Sequence, residues 1–277
     1  MKTKKQLVVN ADDFGFTPDV NAGIVEAHRN GILTAATMMA NGEAFEDAVR
    51  LARETPTLDL GVHLVLVSGR SAITGEPLPL TVADLLIAMA RGRIRVYDEM
   101  RAQIERIVSA GIRPSHLDAH KHTHLAPPIL EAVARLGEEF GIRWVRRPFD
   151  FPLNALPAPL AKRALSRGFG LLRPYFRSTL ARRGCRTTDY FAGFQITGRF
   201  RTSELVDLIG VIPNGSTELM CHPGFCGEAL KAARTRLKES REYELSALVS
   251  PEVRQAVERN GIELVTYARL ENEAAAA

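Results

Sequence analysis

Short apolar runs alternate with amphipathic stretches along most of this chain, and each kind of run predicts one kind of element. Gln6–Asn10 reads as a strand ending in the polar residues Asn10-Ala11-Asp12-Asp13. Asp19–Arg29 follows as a helix, closed by Asn30-Gly31. Ile32–Met39 is a second strand, Glu43–Arg53 a helix, and Leu58–Leu66 a third strand carrying His63. After a Pro/Gly-rich stretch from Ser68 to Leu80, helices are expected over Val82–Ala90 and Asp98–Ala110. Gly111-Ile112-Arg113-Pro114 then leads into a fourth strand, Ser115–Ala119. Helix Ile129–Phe140 and strand Arg143–Arg147 come next. Further along are helix Glu204–Leu208, a strand near Thr217–Cys221, helices Tyr243–Leu248 and Pro251–Arg259, and a strand at Ile262–Thr266.

Strand–helix units without long β-only blocks predict an α/β fold on a parallel sheet, open or closed into a barrel. Functional residues of such folds gather at the carboxyl ends of the strands. Asp12 and Asp13, His63, the 118–124 region and His222 all sit at or just past a predicted strand end. That shared address makes them one candidate site.

The densest part of it is His116-Leu117-Asp118-Ala119-His120-Lys121-His122-Thr123-His124, which holds four of the seven histidines. Imidazoles with a carboxylate among them are what a metal-assisted site needs. Strict alternation puts residues 116, 118, 120, 122 and 124 on one face of an extended strand, with ends roughly 26 Å apart at about 3.3 Å per residue. A single ion therefore takes only one or two of these histidines, and its other ligands come from elsewhere.

Asp12 and Asp13, adjacent and pointing in different directions, allow one to hold a metal while the other handles a proton. A turn or helix-cap pair is the plainer reading of Asp-Asp. His63 in its apolar run reads by itself as a buried structural histidine. Together with Asp13 and one histidine of the cluster it completes a two-histidine, one-carboxylate set, the ligand count of a catalytic metal site with an open position. His120, at the end of strand four, is the preferred third ligand, and Asp118 is placed to orient it. His122 and His124 are expected to line the pocket, whereas His116, at the wrong end of the strand, is expected to be structural. His222 stands in Met220-Cys221-His222-Pro223-Gly224, a turn that would present its imidazole as a proton donor to a leaving group. Zinc suits two imidazoles and a carboxylate best, and magnesium is the other divalent ion considered.

Bulk properties change this picture little. The 277 residues, 45% hydrophobic and 25% charged, are those of an ordinary globular protein with ample core. A net charge of +4 comes without any nucleic-acid-binding motif. Three cysteines are too few for a disulfide framework and point to a reducing, cytoplasmic setting. No secretory signal and no run long enough to span a membrane is seen. One stretch departs from the rest. Phe151–Thr188 has no acidic residue but eight basic ones, interleaved with leucines and aromatics and broken by prolines 152, 157, 159 and 174. It reads either as an anchor or lid meeting anionic lipid headgroups at the inner face of a membrane, or as a surface excursion packed on the domain.

The residues also resemble a known family. Asn10-Ala11-Asp12-Asp13-Phe14-Gly15, Gly61-Val62-His63-Leu64, His116-Leu117-Asp118-Ala119-His120 and Glu218-Leu219-Met220-Cys221-His222-Pro223-Gly224 are similar, in order, to motifs of the YdjC-like carbohydrate deacetylases. The resemblance implies a distorted TIM-like (β/α) barrel as a single domain over 1–277, and metal-dependent removal of N-acetyl groups from amino sugars. It further implies Asp13, His63 and His120 as metal ligands, Asp12 as the acid-base carboxylate, and His222 as an acid. Ala119-His120-Lys121-His122-Thr123-His124-Leu125 looks more like the hopanoid-biosynthesis-associated HpnK branch than the chitooligosaccharide branch. That likeness implies an N-acetylglucosaminyl group carried on a bacteriohopane lipid. Chitooligosaccharide deacetylation, another metal-dependent barrel hydrolase or isomerase activity, and non-catalytic metal or lipid binding are the alternatives.

Overall fold

The computed structural model describes residues 4–153 and 159–275, so Pro157 and its neighbours in the basic stretch lie outside the described residues. Eight strands are present among them: β1 (Lys5–Phe14), β2 (Ala35–Met38), β3 (Asp59–Leu64), β4 (His116–Ala119), β5 (Trp144–Val145), β6 (Tyr190–Ala192), β7 (Gly215–Cys221) and β8 (Ile262–Leu264). Between them run α1 (Pro18–Asn30), α2 (Phe45–Glu54), α3 (Val82–Ala90), α4 (Val96–Ser109), α5 (Pro127–Glu139), α6 (Leu160–Gly170) and α7 (Arg173–Arg182). The chain continues through α8 (Thr202–Gly210), α9 (Glu228–Ala232), α10 (Glu239–Leu248), α11 (Pro251–Arg259) and α12 (Tyr267–Ala275).

The sheet order is β5-β4-β3-β2-β1-β7-β6, and every neighbouring pair is parallel. Irregular parallel bridges, Trp144 to Arg186 and Asp150 to Phe191, join the two edges. β8 pairs with the start of β1, at Lys5–Leu7, below the point where β2 takes over at Asn10. The result is the distorted TIM-like α/β barrel expected from the sequence. Its short or atypical strands, β6 above all, are those the hydrophobic pattern does not announce.

Local sequence explains the regular elements. β1 is buried on both faces from Leu7 onward, as a central parallel strand must be. α2 buries Phe45, Ala48, Val49 and Ala52, a stripe with helical spacing that faces the core. α1 starts where Thr17 accepts a hydrogen bond from the Val20 N–H, with Pro18 pre-set for the first turn. Gly61 on β3 is needed for space. A side-chain carbon there would sit 2.6 Å from the His116 ring.

Two expectations change. β4 ends at Ala119 as expected, but His120–Leu125 then turns into a 3-10 helix with Lys121 and His122 in the left-handed region, φ 52° and 53°. The single extended face proposed for residues 116–124 therefore does not exist, and the chain doubles back at the point where β4 would have continued. The basic stretch resolves into two helices of different character. α7 buries Phe176, Thr179 and Leu180 against the domain, while α6 has no buried residue. No helix among the described residues is long and apolar enough to cross a membrane.

Candidate active site

The carboxyl ends of β1, β3, β4 and β7 bring the candidate residues together. Between Ala11 and Phe14 the β1–β2 register slips, and Asp13 adopts φ 71°. A non-glycine residue held in that region costs of order 1–3 kcal/mol and persists only where surrounding contacts demand it. The slip turns Asp12 and Asp13 to different partners. Asp13 Oδ1 lies 3.4 Å from His63 Nε2 and 3.3 Å from His120 Nδ1, and those two nitrogens are 3.1 Å apart. Asp12 turns instead to Arg146.

This triangle fits a metal ion. Asp13 Oδ1 is buried with no hydrogen-bond partner among the described residues. Asp118, paired with His63 across β3 and β4, accepts from His63 Nδ1–H at 2.7 Å, which holds the ring with Nε2 directed toward Asp13 and His120. Asp118 thus orients His63, not His120 as the sequence suggested. The reason is register: strand neighbours place Asp118 directly beside His63, while His120 lies past the end of β4. Thr37 on β2 donates its hydroxyl to Asp118 Oδ2 at 3.1 Å and completes the support. A second grouping, Asp12, His63 and Asp118, also has close donor atoms, but a cation already occupies it. The guanidinium of Arg146 donates to both oxygens of Asp12 at 2.7 and 2.9 Å and lies 2.6 Å from Asp118.

Arg146, at the end of β5, is completely buried and also holds Glu218 at 2.6 Å. Arg241, on α10, pairs with Asp13 Oδ2. Fully ionised, the buried carboxylates Asp12, Asp13, Asp118 and Glu218 carry two more charges than these two guanidiniums offset. The surplus shows in the titrations. Burial by itself would depress the His63 imidazole, yet Asp118, then Asp12 and Asp13, raise it to about 9. Burial would raise Asp13, but Arg241 and His120 hold it well below the usual carboxylate range. For Asp12 burial outweighs Arg146, and its pKa is raised. Such a pocket favours an added cation.

His222 follows β7, with Nε2 3.7 Å from Asp12 Oδ2. Its backbone N–H donates to Glu244 at 2.6 Å, and Gly23 on α1 leaves room for Gly224 of the same turn to approach. Burial, only partly countered by Asp13 and reinforced by Arg241 and Arg146, keeps its imidazole well below the usual range and neutral at pH 7. Burial also pushes the Glu244 carboxyl up to about 7.

These groups open on a cavity of about 510 Å³. Asp12, Asp13, His120, His122 and His222 line it, with Phe16, Met39, Phe194 and Met220 as apolar wall. His122 stands against Phe191 and Phe194. His124 does not reach this wall. It is fully buried, its Nε2 is 3.1 Å from the Arg146 carbonyl, and its ring meets Phe176. The turn after His120 redirects it into the core, so it supports the segment carrying Arg146. His116 is buried between Asn10, Ser115 and the Tyr267 ring, a structural place. Sequence reading missed Arg146, Arg241, Glu218 and Glu244. Arg146 left a signal in its position at a predicted strand end, and Glu218 in its place within the strand and motif that lead to His222.

Comparison with known proteins adds an independent line. A family model described as YdjC-like protein matches residues 6–259. The chain belongs to the YdjC-like family. Among its relatives, a carbohydrate deacetylase of Brevibacillus brevis is 36% identical over 272 residues, covering 96% of this chain and 99% of that protein. A carbohydrate deacetylase of Geobacillus stearothermophilus is 33% identical, covering 94% and 96%. The crystal structure of an Enterococcus faecalis V583 protein, whose description names cellobiose-phosphate cleavage, superposes with a TM-score of 0.72 at 26% identity, covering 97% of this chain and 99% of that one. The YdjC-like match thus runs from β1 through β7 and includes all the strands that build the site.

Proposed function

We propose that this YdjC-like protein is a metal-dependent carbohydrate N-deacetylase, acting as one domain over residues 1–277, that hydrolyses the acetamide of an N-acetylated amino sugar. The observation that carries the reading is the triangle of Asp13 Oδ1, His63 Nε2 and His120 Nδ1 at 3.1–3.4 Å, with Asp12 beside it on the same cavity. Asp13, His63 and His120 would hold the ion, and two imidazoles favour zinc over magnesium. When bound, it would supply Lewis-acid polarisation of the acetamide carbonyl.

The remaining work falls to the chain's own residues. Asp12, gripped at both oxygens by Arg146, is held in one orientation to take a proton from the attacking water. Water adds to the acetyl carbon, the C–N bond breaks, and the departing amine takes up one proton. His222 delivers that proton. It starts neutral, and the proton taken from water reaches it from Asp12 Oδ2, 3.7 Å away, through one bridging water. The apolar wall of Phe16, Met39, Phe194 and Met220 suits the face of a sugar ring. Asp12→Asn tests the assignment. It should retain stoichiometric zinc and lose at least about 100-fold in turnover; full turnover with metal bound would remove Asp12 as the base.

Within this reading the substrate is a glycolipid of the hopanoid type, as in the HpnK branch. What supports it is the Ala119-His120-Lys121 pattern together with Leu160, Leu165 and Leu171 standing exposed on or beside α6 among basic residues, a surface suited to peripheral contact with an anionic membrane. Acetate release from N-acetylglucosaminyl bacteriohopane, compared with chitobiose, decides between the glycolipid and a chitooligosaccharide.

A further inference from the structure

A second cavity, of about 540 Å³, shares α6 with the catalytic one. Lys162 of that helix faces the catalytic cavity, while Arg163, Ser166 and Arg167 line the second. Arg147, past the end of β5, and Arg173, at the start of α7, complete a wall with four guanidiniums. The acidic residue on this wall, Asp150, is fully engaged. Its Oδ1 accepts from the Gly193 and Phe194 N–H groups at 2.9 and 3.1 Å, and its Oδ2 from Gln195 N–H at 3.0 Å and the Ser166 hydroxyl at 3.4 Å.

Three other arginines of the basic stretch are matched by acids. Arg182 and Arg183 pair with Glu131, Arg183 also with Glu138, and Arg186 with Glu271. No ion pair among the described residues involves Arg147, Arg167 or Arg173. Arg147 donates to the Asp189 carbonyl, but its Nε is buried with no hydrogen-bond partner among the described residues. Burial, followed by repulsion from Arg173 and Arg177 and offset in part by Asp189, pulls its pKa down. Arg173 is steered over the Phe149 ring, 5.5 Å from its centre.

We propose that this cavity is a binding site for a phosphate group, held by Arg147, Arg163, Arg167 and Arg173. Guanidinium forks match phosphate oxygens two at a time, and a tetrahedral anion with several acceptor oxygens is what donors converging from different elements can share. The volume admits a phosphate ester as well as the free ion. Two sources present this chemistry, a phospholipid headgroup and a soluble phosphate compound. The site does not depend on the deacetylase reading, and its test uses binding alone.

The experiment titrates the full-length protein with sodium phosphate and with glycerol 1-phosphate by calorimetry, and measures co-sedimentation with phosphatidylglycerol/phosphatidylcholine vesicles against phosphatidylcholine alone. Saturable binding that weakens at least tenfold in the Arg167→Gln/Arg173→Gln variant supports the site. Both side chains are exposed, so folding should survive, and thermal unfolding checks that it does. Binding to the soluble phosphates identifies a soluble source, and binding only to the anionic vesicles identifies the headgroup. Arg182→Gln, outside the cavity, should change neither. Absence of binding in both arms, or an equal loss in Arg182→Gln, overturns the proposal.

Discussion

Replacing Arg146 by Met tests whether the buried charge network is organised around one guanidinium. Arg146 is wholly buried and contacts Asp12 through two hydrogen bonds, and Asp118 and Glu218 at 2.6 Å each. Removing one partner of a buried ion pair costs about 3–5 kcal/mol, because the other charge stays behind without compensation. Three carboxylates are left here, but each can escape by taking up a proton, so the losses do not add. The expected destabilisation at pH 7.5 is therefore about 3–5 kcal/mol, which at roughly 2–4 °C per kcal/mol lowers the melting temperature by about 6–20 °C. The sign with pH follows. Asp118 is now held well below its usual range, burial being outweighed by Arg146 and His63. Without Arg146 burial raises the Asp118 carboxyl as well, and Asp12 and Glu218, already raised by burial, rise further. The variant then loses stability as pH increases through those raised values, and its deficit shrinks toward pH 5. Urea unfolding of the metal-free protein at pH 5 and 7.5 measures this. A variant within 1 kcal/mol of wild type at pH 7.5, or a deficit that grows toward pH 5, would refute the reasoning.

Asp150 makes a separate pH prediction. Burial, offset in part by hydrogen bonds from Gln195, Phe194 and Gly193, pushes its carboxyl to about 6 from 3.8. The folded state binds the proton more tightly, so the stability of the wild type should fall relative to Asp150→Asn between pH 4 and 7, by at most about 3 kcal/mol at 1.36 kcal/mol per pH unit. A flat difference across that range in denaturant titrations would dismiss the shift. Gly61→Ala should cost about 1–3 kcal/mol, because the added methyl meets the His116 ring at 2.6 Å. Replacing His116 with a smaller residue in the same chain should recover part of that loss, and no recovery would argue against this contact as the cause.

The barrel was largely legible because parallel strands buried on both faces leave apolar runs, and the helices between them leave stripes. β6 was not, since Tyr190–Ala192 is only three residues long and has no alternation of its own. In the site, Asp12, Asp13, His63, His120 and His222 could be grouped from their positions at strand ends alone. The histidine cluster misled for a local reason. Alternating His-x-His-x-His predicts an extended face, and nothing in Lys121 or His122 signals the left-handed turn that ends β4. That turn sends His124 into the core and leaves Asp118 beside His63. Arg146 was hidden by its company, since Arg143 and Arg147 in the same short segment look equivalent to it. What separates the three is the interior of the barrel, which only the closed sheet defines. Glu244 and Arg241 come from α10, where charged residues at helical spacing read as solvent-facing.

The central claim, hydrolysis of an acetamide at the Asp13–His63–His120 centre, is tested most directly by acetate release. The protein is stripped with a chelator, reloaded with one equivalent of zinc, and incubated with N-acetylglucosaminyl substrates while acetate and the freed amine are followed by mass spectrometry. The account predicts equal amounts of both products from the reloaded protein, near-complete loss after stripping, and failure of His63→Ala and His120→Ala to recover with zinc. Undiminished acetate release from the stripped protein, or from either histidine variant, would contradict it.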